Sequence, residues 1–355
     1  MNNNKFYDES IFSIGDKKVG STEKCFIIAE IAQAHDGSLG MAHAYIDAVS
    51  RTGADAIKFQ THIASAESTK FEKFRVQVFP QDKTRYEYWK RMEFTCTQWK
   101  ELAEHAKEVG LIFLSSPFSV EAVQLLDNIG MPAWKIGSGE VDNKSLIDAV
   151  SKTGKPILLS TGMSKWSDID KTINIVKSYG NPISVFQCTT SYPCSSSNLG
   201  LNNINELKER YGFPVGFSDH SGNIFSGLAA VTLGASIIEV HTVFSKECFG
   251  PDVSSSITID ELSQLVSGVR FIDKAINSPV LKDDMASKLL NVKVLFTRSI
   301  FVSKDLSIGH ILTKEDFTFK KPGIGISQER ADEFIGRVVT RNYCMDDLLE
   351  EEYIK

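Results

Sequence analysis

The chain repeats one hydrophobic pattern through about its first 270 residues. A segment with the apolar period of an amphipathic helix is followed by a glycine and then by a short β-branched or apolar run that predicts a strand. Glycine is favoured just beyond a helix end because the left-handed conformation there carries no Cβ penalty. The pattern occurs seven times, with its glycines at Gly53, Gly110, Gly130, Gly154, Gly180, Gly212 and Gly234. A further strand-like run, residues 25–31, precedes the first of them, so eight β–α units are predicted.

Short apolar strands that alternate with amphipathic helices predict a parallel sheet covered on both faces. Eight such units favour an α/β fold of the closed (β/α)8 TIM-barrel type over an open doubly wound sheet. No G-x-G-x-x-G follows the first strand, which weakens the dinucleotide-binding alternative. The eighth helix is expected at about residues 260–277, and Thr95 with Gln98 has the spacing of a capping box at a helix start.

Two segments interrupt the repeat. Residues 62–94 are too long and too aromatic for a simple βα loop, and we predict that they form a lid on the catalytic face. Residues 279–290 are a charged connector, and the short strands and turns after it have no barrel period. We therefore predict a barrel domain at 1–278, a linker at 279–290 and a small, mainly-β domain at 291–355.

The composition narrows the function classes. The 39 Lys and Arg residues against 45 Asp and Glu give a net charge of −6, and the absence of a long basic run argues against nucleic acid or an anionic membrane as partner. No apolar stretch approaches the roughly 20 residues that span a bilayer, and MNNNKFYDES lacks the apolar core of a signal peptide. Six scattered cysteines without a C-x-x-C pair are typical of reduced thiols. A cytoplasmic protein is expected.

Polar residues end every predicted strand, and in a (β/α)8 barrel that end carries the active site. The opposite end shows only Gly, Pro and surface charge, so the asymmetry locates a site without naming a reaction. The polar strand ends are Glu30, Lys58, Gln60, Ser115, Ser116, Lys135, Ser138, Ser160, Thr161, Gln187, Thr189, Thr190, Asp219, His220, Glu239 and His241.

Two subsets of these residues suggest ligands. His220 and His241 end adjacent strands, and neutral imidazoles suit a divalent transition metal with open coordination positions. The alternative is that they only form hydrogen bonds inside the barrel. A ring of cations and hydroxyls has the groups that bind a phosphate dianion; it comprises Lys58, Lys135, Ser116, Ser138 and Ser160. The alternative here is a set of capping serines, with the lysines neutralised by Glu30 and Glu140.

Three carboxylates, Glu30, Glu140 and Asp252, accompany this ring. They can orient water, accept sugar hydroxyls or balance charge, and spacing alone does not apportion these roles. His35 lies in the first loop, whereas the remaining histidines, His43, His62, His105 and His310, are expected to be structural.

At these residues the chain resembles the sialic acid synthase (N-acetylneuraminate synthase) family. The matching motifs occur in family order over almost the whole barrel: IIAEIAQAHDG, GADAIKFQTH, FLSSPFS, WKIGSGE, LLSTGM, QCTTSYP, GFSDHS, EVH and FGPD. The tail, with RSIFVSKDLSIGHILTKEDF and KPGIGI, resembles the antifreeze-like (SAF, β-clip) domain of these enzymes.

The resemblance implies a transferase that condenses phosphoenolpyruvate (PEP) with an open-chain N-acyl hexosamine and releases phosphate. The PEP-binding residues that it implies are Lys58, Ser116, Lys135, Ser138, Ser160, Thr190 and Tyr192, and the sugar-binding residues are Glu30, Gln60, Tyr192, Asp252 and Lys321. The catalytic residues are Glu30, Glu140 and Asp252. A metal, Mn²⁺ in preference to Mg²⁺ or Co²⁺, is expected on His220 and His241. The family also implies a domain-swapped homodimer in which the tail caps the partner's barrel.

Three departures from the family pattern leave the exact sugar, and whether it is phosphorylated, open. Ala34 precedes His35 where the family often has Asn, Thr190 stands where some members have an Asn on the phosphate, and Lys321 replaces a common Arg. Lys cannot reproduce the planar bidentate contact of Arg. The rival functions are a related PEP-dependent 3-deoxy-2-keto sugar acid synthase acting on a phosphorylated aldose, a Schiff-base aldolase using Lys58 or Lys135, and a non-catalytic sugar-binding scaffold.

Overall fold

The structure, a computed structural model, describes residues 11–77 and 79–355. The expectation that no signal peptide is present concerns residues 1–10, which lie outside the described residues. The chain divides into two compact units with the boundary between Asn277 and Ser278. The domain bounds predicted from the sequence stay a prediction. Within the two described ranges, every helix is too short or too polar to cross a membrane.

Eight parallel strands of the first unit form a nearly closed barrel, which confirms the predicted fold class. A hairpin of β1 (Ile11–Ile14) and β2 (Lys17–Gly20) precedes it. The barrel strands are β3 (Phe26–Ala32), β4 (Ala56–Thr61), β5 (Ile112–Pro117), β6 (Trp134–Ile136), β7 (Ile157–Ser160), β8 (Ile183–Cys188), β9 (Val215–Asp219) and β10 (Ile237–Val243). Their hydrogen-bonded order is β5-β4-β3-β10-β9-β8-β7-β6, and a short β11 (Ile257–Thr258) pairs with β10.

Helices surround the barrel. They are α1 (Leu39–Ser50), α2 (Ala64–Glu67), α3 (Arg85–Met92), α4 (Cys96–Glu108), α5 (Val120–Asn128), α6 (Lys144–Ser151), α7 (Trp166–Tyr179), α8 (Asn203–Tyr211), α9 (Phe225–Thr232) and α10 (Ile259–Ile276), of which α2 and α3 belong to the insertion. All seven repeat glycines have a positive φ, between 71° and 85°, as their positions beyond helix ends predict. Thr95 and Gln98 form the predicted capping box of α4.

Asp55 joins the lower end of the barrel. Its carboxylate accepts hydrogen bonds from Lys17 Nζ at 2.8 Å, from the Ile27 amide at 2.8 Å and from Arg270 Nη2 at 2.6 Å. The hairpin, the first barrel strand and the last barrel helix are therefore held by one side chain. These polar groups are away from the strand ends that carry the site, which leaves the two ends of the barrel with separate tasks.

The insertion at residues 62–94 has a small apolar core of its own. Its buried members are Ala64, Phe79, Tyr88, Trp89 and Met92. Helix α3 begins with a second capping box, formed by Thr84 and Glu87. The insertion is thus a folded element with fixed side chains, and it lines the mouth of the barrel as the lid prediction expected.

The second unit contains helices α11 (Lys282–Lys288) and α12 (Leu290–Phe296) and the antiparallel strands β12 (Ser299–Val302) and β13 (Phe317–Lys320). Isolated β-bridges and short 3-10 turns complete it, and its core includes Ile300, Leu312, Phe334, Tyr343 and Leu349. The connector predicted at 279–290 holds a helix, because Lys, Met, Ala and Leu in this stretch are strong helix formers.

One close backbone approach in the barrel can be tested. Gly216 in β9 lies opposite Phe186 in β8, and a Cβ built on Gly216 would be 2.6 Å from three ring carbons of Phe186. The same ring lies 4.9 Å from Lys135 Nζ. We expect Gly216→Ala to lower the free energy of unfolding by about 1–3 kcal/mol, the usual cost of overpacking a core. Urea denaturation measures it.

Gly40→Ala is the matched control, because a Cβ there meets only Ser38 Oγ at 4.0 Å in the first turn of α1. This substitution should leave stability unchanged or slightly raised. Equal stability of the two variants would show that the Phe186 ring moves aside without cost.

Candidate active site

A cavity of about 720 Å³ opens at the carboxyl ends of the barrel strands. The structure brings together every predicted site residue of the barrel in its wall: Glu30, Lys58, Gln60, Ser116, Lys135, Ser138, Glu140, Ser160, Thr190, Tyr192, His220, His241 and Asp252. Lys321 belongs to the second unit, where its Nζ lies 5.1 Å from the ring centroid of Phe296. The catalytic and binding roles assigned to these residues stay predictions.

Lys58 is buried at the centre of the cavity floor. Its Nζ lies 2.8 Å from Glu30 Oε2 and donates a hydrogen bond to Ser116 Oγ at 3.1 Å. Glu30 and Lys58 are register partners on the adjacent strands β3 and β4, so the ion pair follows from the pairing of those strands. The side chains are 1–2% exposed, and at that depth neither charge could remain unpaired.

Lys135 forms the second half of the floor. Its Nζ donates to Ser160 Oγ at 2.6 Å and to Glu239 Oε1 at 3.2 Å, and Glu239 Oε1 is also 3.6 Å from Lys58 Nζ. The sequence placed Glu239 among the polar strand ends, two residues before His241, but assigned it no role.

The carboxylates that contact the lysines are Glu30 and Glu239. The alternative raised from the sequence, in which Glu140 shares this charge balance, therefore names the wrong second carboxylate. Glu140 ends a 3-10 turn, Ser138–Glu140, after β6, and its Oε2 accepts a hydrogen bond from Asn143 at 2.7 Å. Its carboxyl group is directed toward the start of α6 and remains half-buried in the cavity wall. Burial raises its pKa, while the Asn143 hydrogen bond opposes the rise.

The two carboxylates of the floor differ in proton affinity. Burial raises the pKa of Glu30 to about 7, although Lys58 opposes the rise. Burial would also raise the pKa of Glu239, but Lys135 and Lys58 together lower it to about 2. Glu239 contacts both lysines and is therefore the more strongly stabilised anion, so Glu30 is the better candidate to exchange a proton, as a general acid or base must.

Small polar side chains line the floor beside the lysines. Ser138 Oγ accepts a hydrogen bond from the Gly162 amide at 3.0 Å. A Cβ on Gly162 would lie 2.3 Å from Thr190 Oγ1 and 2.8 Å from Ser138 Oγ, so glycine is required for these hydroxyls to converge. The predicted anion site thus has two ammonium groups and several hydroxyls within one compact region.

His220 and His241 lie side by side, with ring centroids 5.3 Å apart. His220 Nδ1 donates a hydrogen bond to the Thr189 carbonyl at 2.8 Å, which leaves the Nε2 lone pair available. Burial lowers the pKa of His220 to about 3 and also lowers that of His241, so both imidazoles are neutral. Neutral imidazoles are suitable ligands for a divalent transition metal, and the tautomer of His220 is fixed by its hydrogen bond to Thr189.

Among the described residues, no third protein ligand completes this pair. Within residues 11–77 and 79–355, no group of three or more His, Cys, Asp or Glu side chains has metal-binding geometry. Asp252 Oδ2 is 4.0 Å from His241 Nδ1, and the carboxylate forms an ion pair with Arg75. The residues therefore fit an open site, in which two imidazoles hold the cation and water or substrate fills the rest.

Arg75 of the insertion was not predicted, and no spacing in the sequence relates it to Asp252. Its guanidinium pairs with Asp252 and lies 4.1 Å from the ring centroid of Tyr192. The Tyr192 ring is in turn 4.1 Å from the His220 ring. This stack joins the insertion to the histidine pair.

His62, expected to be structural, also lines the cavity. Its ring is stacked between those of Trp89 and Phe118, with ring centroids 3.6 Å and 4.3 Å away. His35 instead packs against Phe94 at 4.8 Å, and its Nδ1 accepts a hydrogen bond from the Gly37 amide at 3.1 Å.

Comparison with known proteins gives consistent matches along the chain. The NeuB family model matches residues 45–280, and the SAF domain model matches residues 297–343. The N,N'-diacetyllegionaminic acid synthase of Campylobacter jejuni is 35% identical over 335 residues, which cover 93% of this chain and 100% of that protein. The N-acetylneuraminate-9-phosphate synthase of Homo sapiens is 31% identical over 341 residues, or 95% and 94% of the two chains.

A crystal structure of the N-acetylneuraminic acid (sialic acid) synthetase from Leptospira borgpetersenii is similar in fold. Its TM-score is 0.70 at 30% sequence identity, and the match covers 79% of this chain and 96% of that one.

The buried ion pairs lead to a stability prediction. Lys58→Met keeps the aliphatic stem but leaves Glu30 and Glu239 with only Lys135 as a cation. We expect a loss of about 3–5 kcal/mol in the free energy of unfolding, the usual result of removing one partner of a buried pair. Denaturant unfolding at pH 8 measures it.

The double variant Lys58→Met with Glu30→Gln is the control, because it removes the uncompensated charge as well. It should recover more than half of the loss. A single variant as stable as the parent would mean that water already compensates the charge of Glu30.

Proposed function

The chain belongs to the NeuB family and carries a SAF domain, and on that basis we propose that it condenses PEP with an open-chain N-acyl hexosamine. The protein is a transferase of the sialic, legionaminic and pseudaminic acid synthase type. Its proposed products are a sialic-acid-type nonulosonic acid and phosphate, and the proposed acceptor is N-acetylmannosamine or a related sugar. The observation that carries the proposal is that two buried lysines and two neutral histidines line one cavity.

The two lysines of the cavity floor, Lys58 and Lys135, support PEP as the anionic substrate. Lys58 and Lys135 each donate to a serine and each contact Glu239, so their ammonium groups point into a common region. Phosphate and carboxylate oxygens of PEP would accept from these groups and from the hydroxyls beside them. Substrate bound there is held with its C3 toward the rest of the cavity, which lowers the entropic part of the barrier.

Glu30 is the carboxylate best suited to handle protons and water. It is buried, it contacts Lys58, and its pKa of about 7 lies near neutral pH. An anion that binds Lys58 would weaken the ion pair of Glu30 and raise its proton affinity further. Glu140, hydrogen-bonded to Asn143 at the edge of the cavity, has no contact of this kind.

The proposed reaction proceeds in balanced steps. C3 of PEP attacks the aldehyde carbon, a C–C bond forms, and the aldehyde oxygen takes up a proton. Water adds to the resulting oxocarbenium ion at C2 and gives up a proton, for which Glu30 is the proposed acceptor. The tetrahedral intermediate then loses phosphate by cleavage of the C2–O bond.

His220 and His241 would hold a divalent cation, with Mn²⁺ preferred and Mg²⁺ or Co²⁺ as alternatives. When bound, such a cation supplies Lewis-acid chemistry that polarises an aldehyde oxygen. The contribution of this chain is to keep both imidazoles neutral and to orient His220 through the Thr189 carbonyl.

The charges of the cavity wall favour a sugar without phosphate. In the part of the chain that the structure describes, four cations line the cavity, and each has a carboxylate partner. Lys58 pairs with Glu30 and Lys135 with Glu239 at the cavity floor. Arg75 pairs with Asp252, and Arg85 Nε is 3.1 Å from Glu72 Oε1. A second phosphate would have to displace one of these carboxylates at a cost in binding. This argues against the phosphorylated-aldose alternative.

The remaining alternatives receive less support. The Schiff-base aldolase alternative requires a lysine whose side chain is a neutral amine. Burial lowers the pKa of Lys58, but Glu239 and Glu30 outweigh burial and raise it, so the amine is protonated. The homodimer and the approach of Lys321 to the partner's sugar belong to this proposal and rest on the resemblance. The cytoplasmic location also belongs to it and rests on the composition of the sequence.

The test of the proposal is turnover with a panel of acceptors. Incubation with PEP and metal should release phosphate with N-acetylmannosamine or a diacetamido-trideoxyhexose, and not with N-acetylmannosamine 6-phosphate. PEP labelled with heavy oxygen at the bridging position should deliver the label to phosphate. Phosphorylated sugar as the preferred acceptor, or label retained in the sugar acid, would contradict the proposal.

Metal binding gives a second test that does not depend on turnover. We expect the full chain to bind one Mn²⁺, observed by calorimetry and by the loss of the free-ion EPR signal. His220→Ala and His241→Ala should weaken binding by at least tenfold, because each removes one of two protein ligands. His43→Ala is the control, since this residue pairs with His105 outside the cavity. Undiminished binding in both site variants would place the metal elsewhere.

A further inference from the structure

A chain of hydrogen bonds connects the insertion to Glu30. Glu67 Oε1 is 2.5 Å from His62 Nδ1, and His62 Nε2 is 3.3 Å from Gln60 Oε1. Gln60 Nε2 donates to Glu30 Oε1 at 3.0 Å. The catalysis proposed above makes no use of Glu67 or His62, although both lie in the cavity wall.

The donors and acceptors of these hydrogen bonds can be assigned in only one consistent order. The Gln60 amide nitrogen donates to Glu30, so the Gln60 oxygen is free to accept, and the His62 proton must be on Nε2. Nδ1 of a neutral His62 is then an acceptor, and its partner Glu67 has to donate. Glu67 is therefore a protonated carboxylic acid in this arrangement.

The surroundings of Glu67 support the neutral acid. Within the residues that the structure describes, its second oxygen, Oε2, is buried and has no hydrogen-bond partner. An ionised carboxylate in that position would be costly. Burial, together with the nearby Glu72, raises the pKa of Glu67 to about 8. The ring of His62 is held between Trp89 and Phe118, and burial keeps it neutral.

We propose that Glu67 and His62 are positioning residues that orient the Gln60 amide and thereby hold the carboxylate of Glu30. The inference rests on the proposed function for the role of Glu30. The structural part, a donor relay from Glu67 to Glu30, stands independently of it.

The relay has a built-in limit at alkaline pH. When Glu67 loses its proton to solvent it becomes an acceptor, and the single proton of His62 moves from Nε2 to Nδ1. Gln60 must then turn its NH2 group to His62 and its oxygen to Glu30, where two oxygens oppose each other. Glu30 loses its donor.

Four charged groups act on Glu67 from the elements packed around it. Glu72 and Glu93 flank the insertion helices, Arg85 begins α3, and Glu140 lies across the cavity wall. The carboxylates hold the proton on Glu67, and Arg85, which is paired with Glu72, opposes them only in part.

The kinetic test compares Glu67→Gln with the parent between pH 6 and pH 10. The Gln NH2 group donates to His62 at every pH. We expect near-parental kcat at pH 7 and loss of an alkaline fall that in the parent amounts to about tenfold per pH unit above the pKa of Glu67. Glu67→Leu should lower kcat by about ten- to hundredfold throughout, as loss of an orienting group does. The same alkaline fall in Glu67→Gln and the parent would overturn the proposal.

Glu72→Gln is the matched control, because it removes a neighbouring charge outside the relay. It should move the alkaline fall to lower pH without abolishing it. An unmoved or absent fall in this variant would count against Glu67 as the group that titrates.

NMR tests the relay without any substrate. In the full chain labelled with ¹⁵N-histidine, the His62 signal, assigned with His62→Gln, should show the proton on Nε2 at pH 7 and on Nδ1 at high pH. In Glu67→Gln it should stay on Nε2 throughout. A proton on Nδ1 at pH 7 would overturn the relay. If no sugar is turned over, the proposed function fails while this measurement still decides the relay.

Discussion

Charge balance at the barrel floor is the constraint on which the site depends. Lys58 and Lys135 are almost fully buried, and an isolated ammonium group at that depth would lose its charge or destabilise the fold. Glu30 and Glu239, on the neighbouring strands β3 and β10, supply the two compensating carboxylates. The barrel brings these four side chains together because parallel strands present all their carboxyl ends at one edge.

A floor that is already neutral changes how an anionic substrate binds. The substrate has to compete with carboxylates for the lysines, and the serines Ser116 and Ser160 provide donors that carry no such partner charge. Glu239, shared by both lysines, is the tightly held anion, whereas Glu30 has the proton affinity to change state. An anion that contacts Lys58 would therefore also change the proton affinity of Glu30.

The insertion contributes aromatic and charged side chains to the cavity wall. Its aromatic side chains hold His62 in place, and Arg75 joins Asp252 and Tyr192 next to the histidine pair. The barrel strands therefore provide the buried lysines and the imidazoles, while the insertion adds these aromatic and charged side chains to the cavity wall.

The sequence by itself determined the barrel, the edge that carries the polar strand ends and the barrel residues that line the cavity there. Apolar period, glycine position and polar strand ends are local properties, and parallel pairing converts them directly into a shared edge. Only the tertiary structure decided that Glu239 rather than Glu140 balances the lysines, that Arg75 meets Asp252, and that Glu67 reaches Glu30 through His62. The position of a residue at the end of its strand determines which edge of the sheet its side chain occupies. The direction of that side chain within the cavity depends on how distant segments of the chain pack against it.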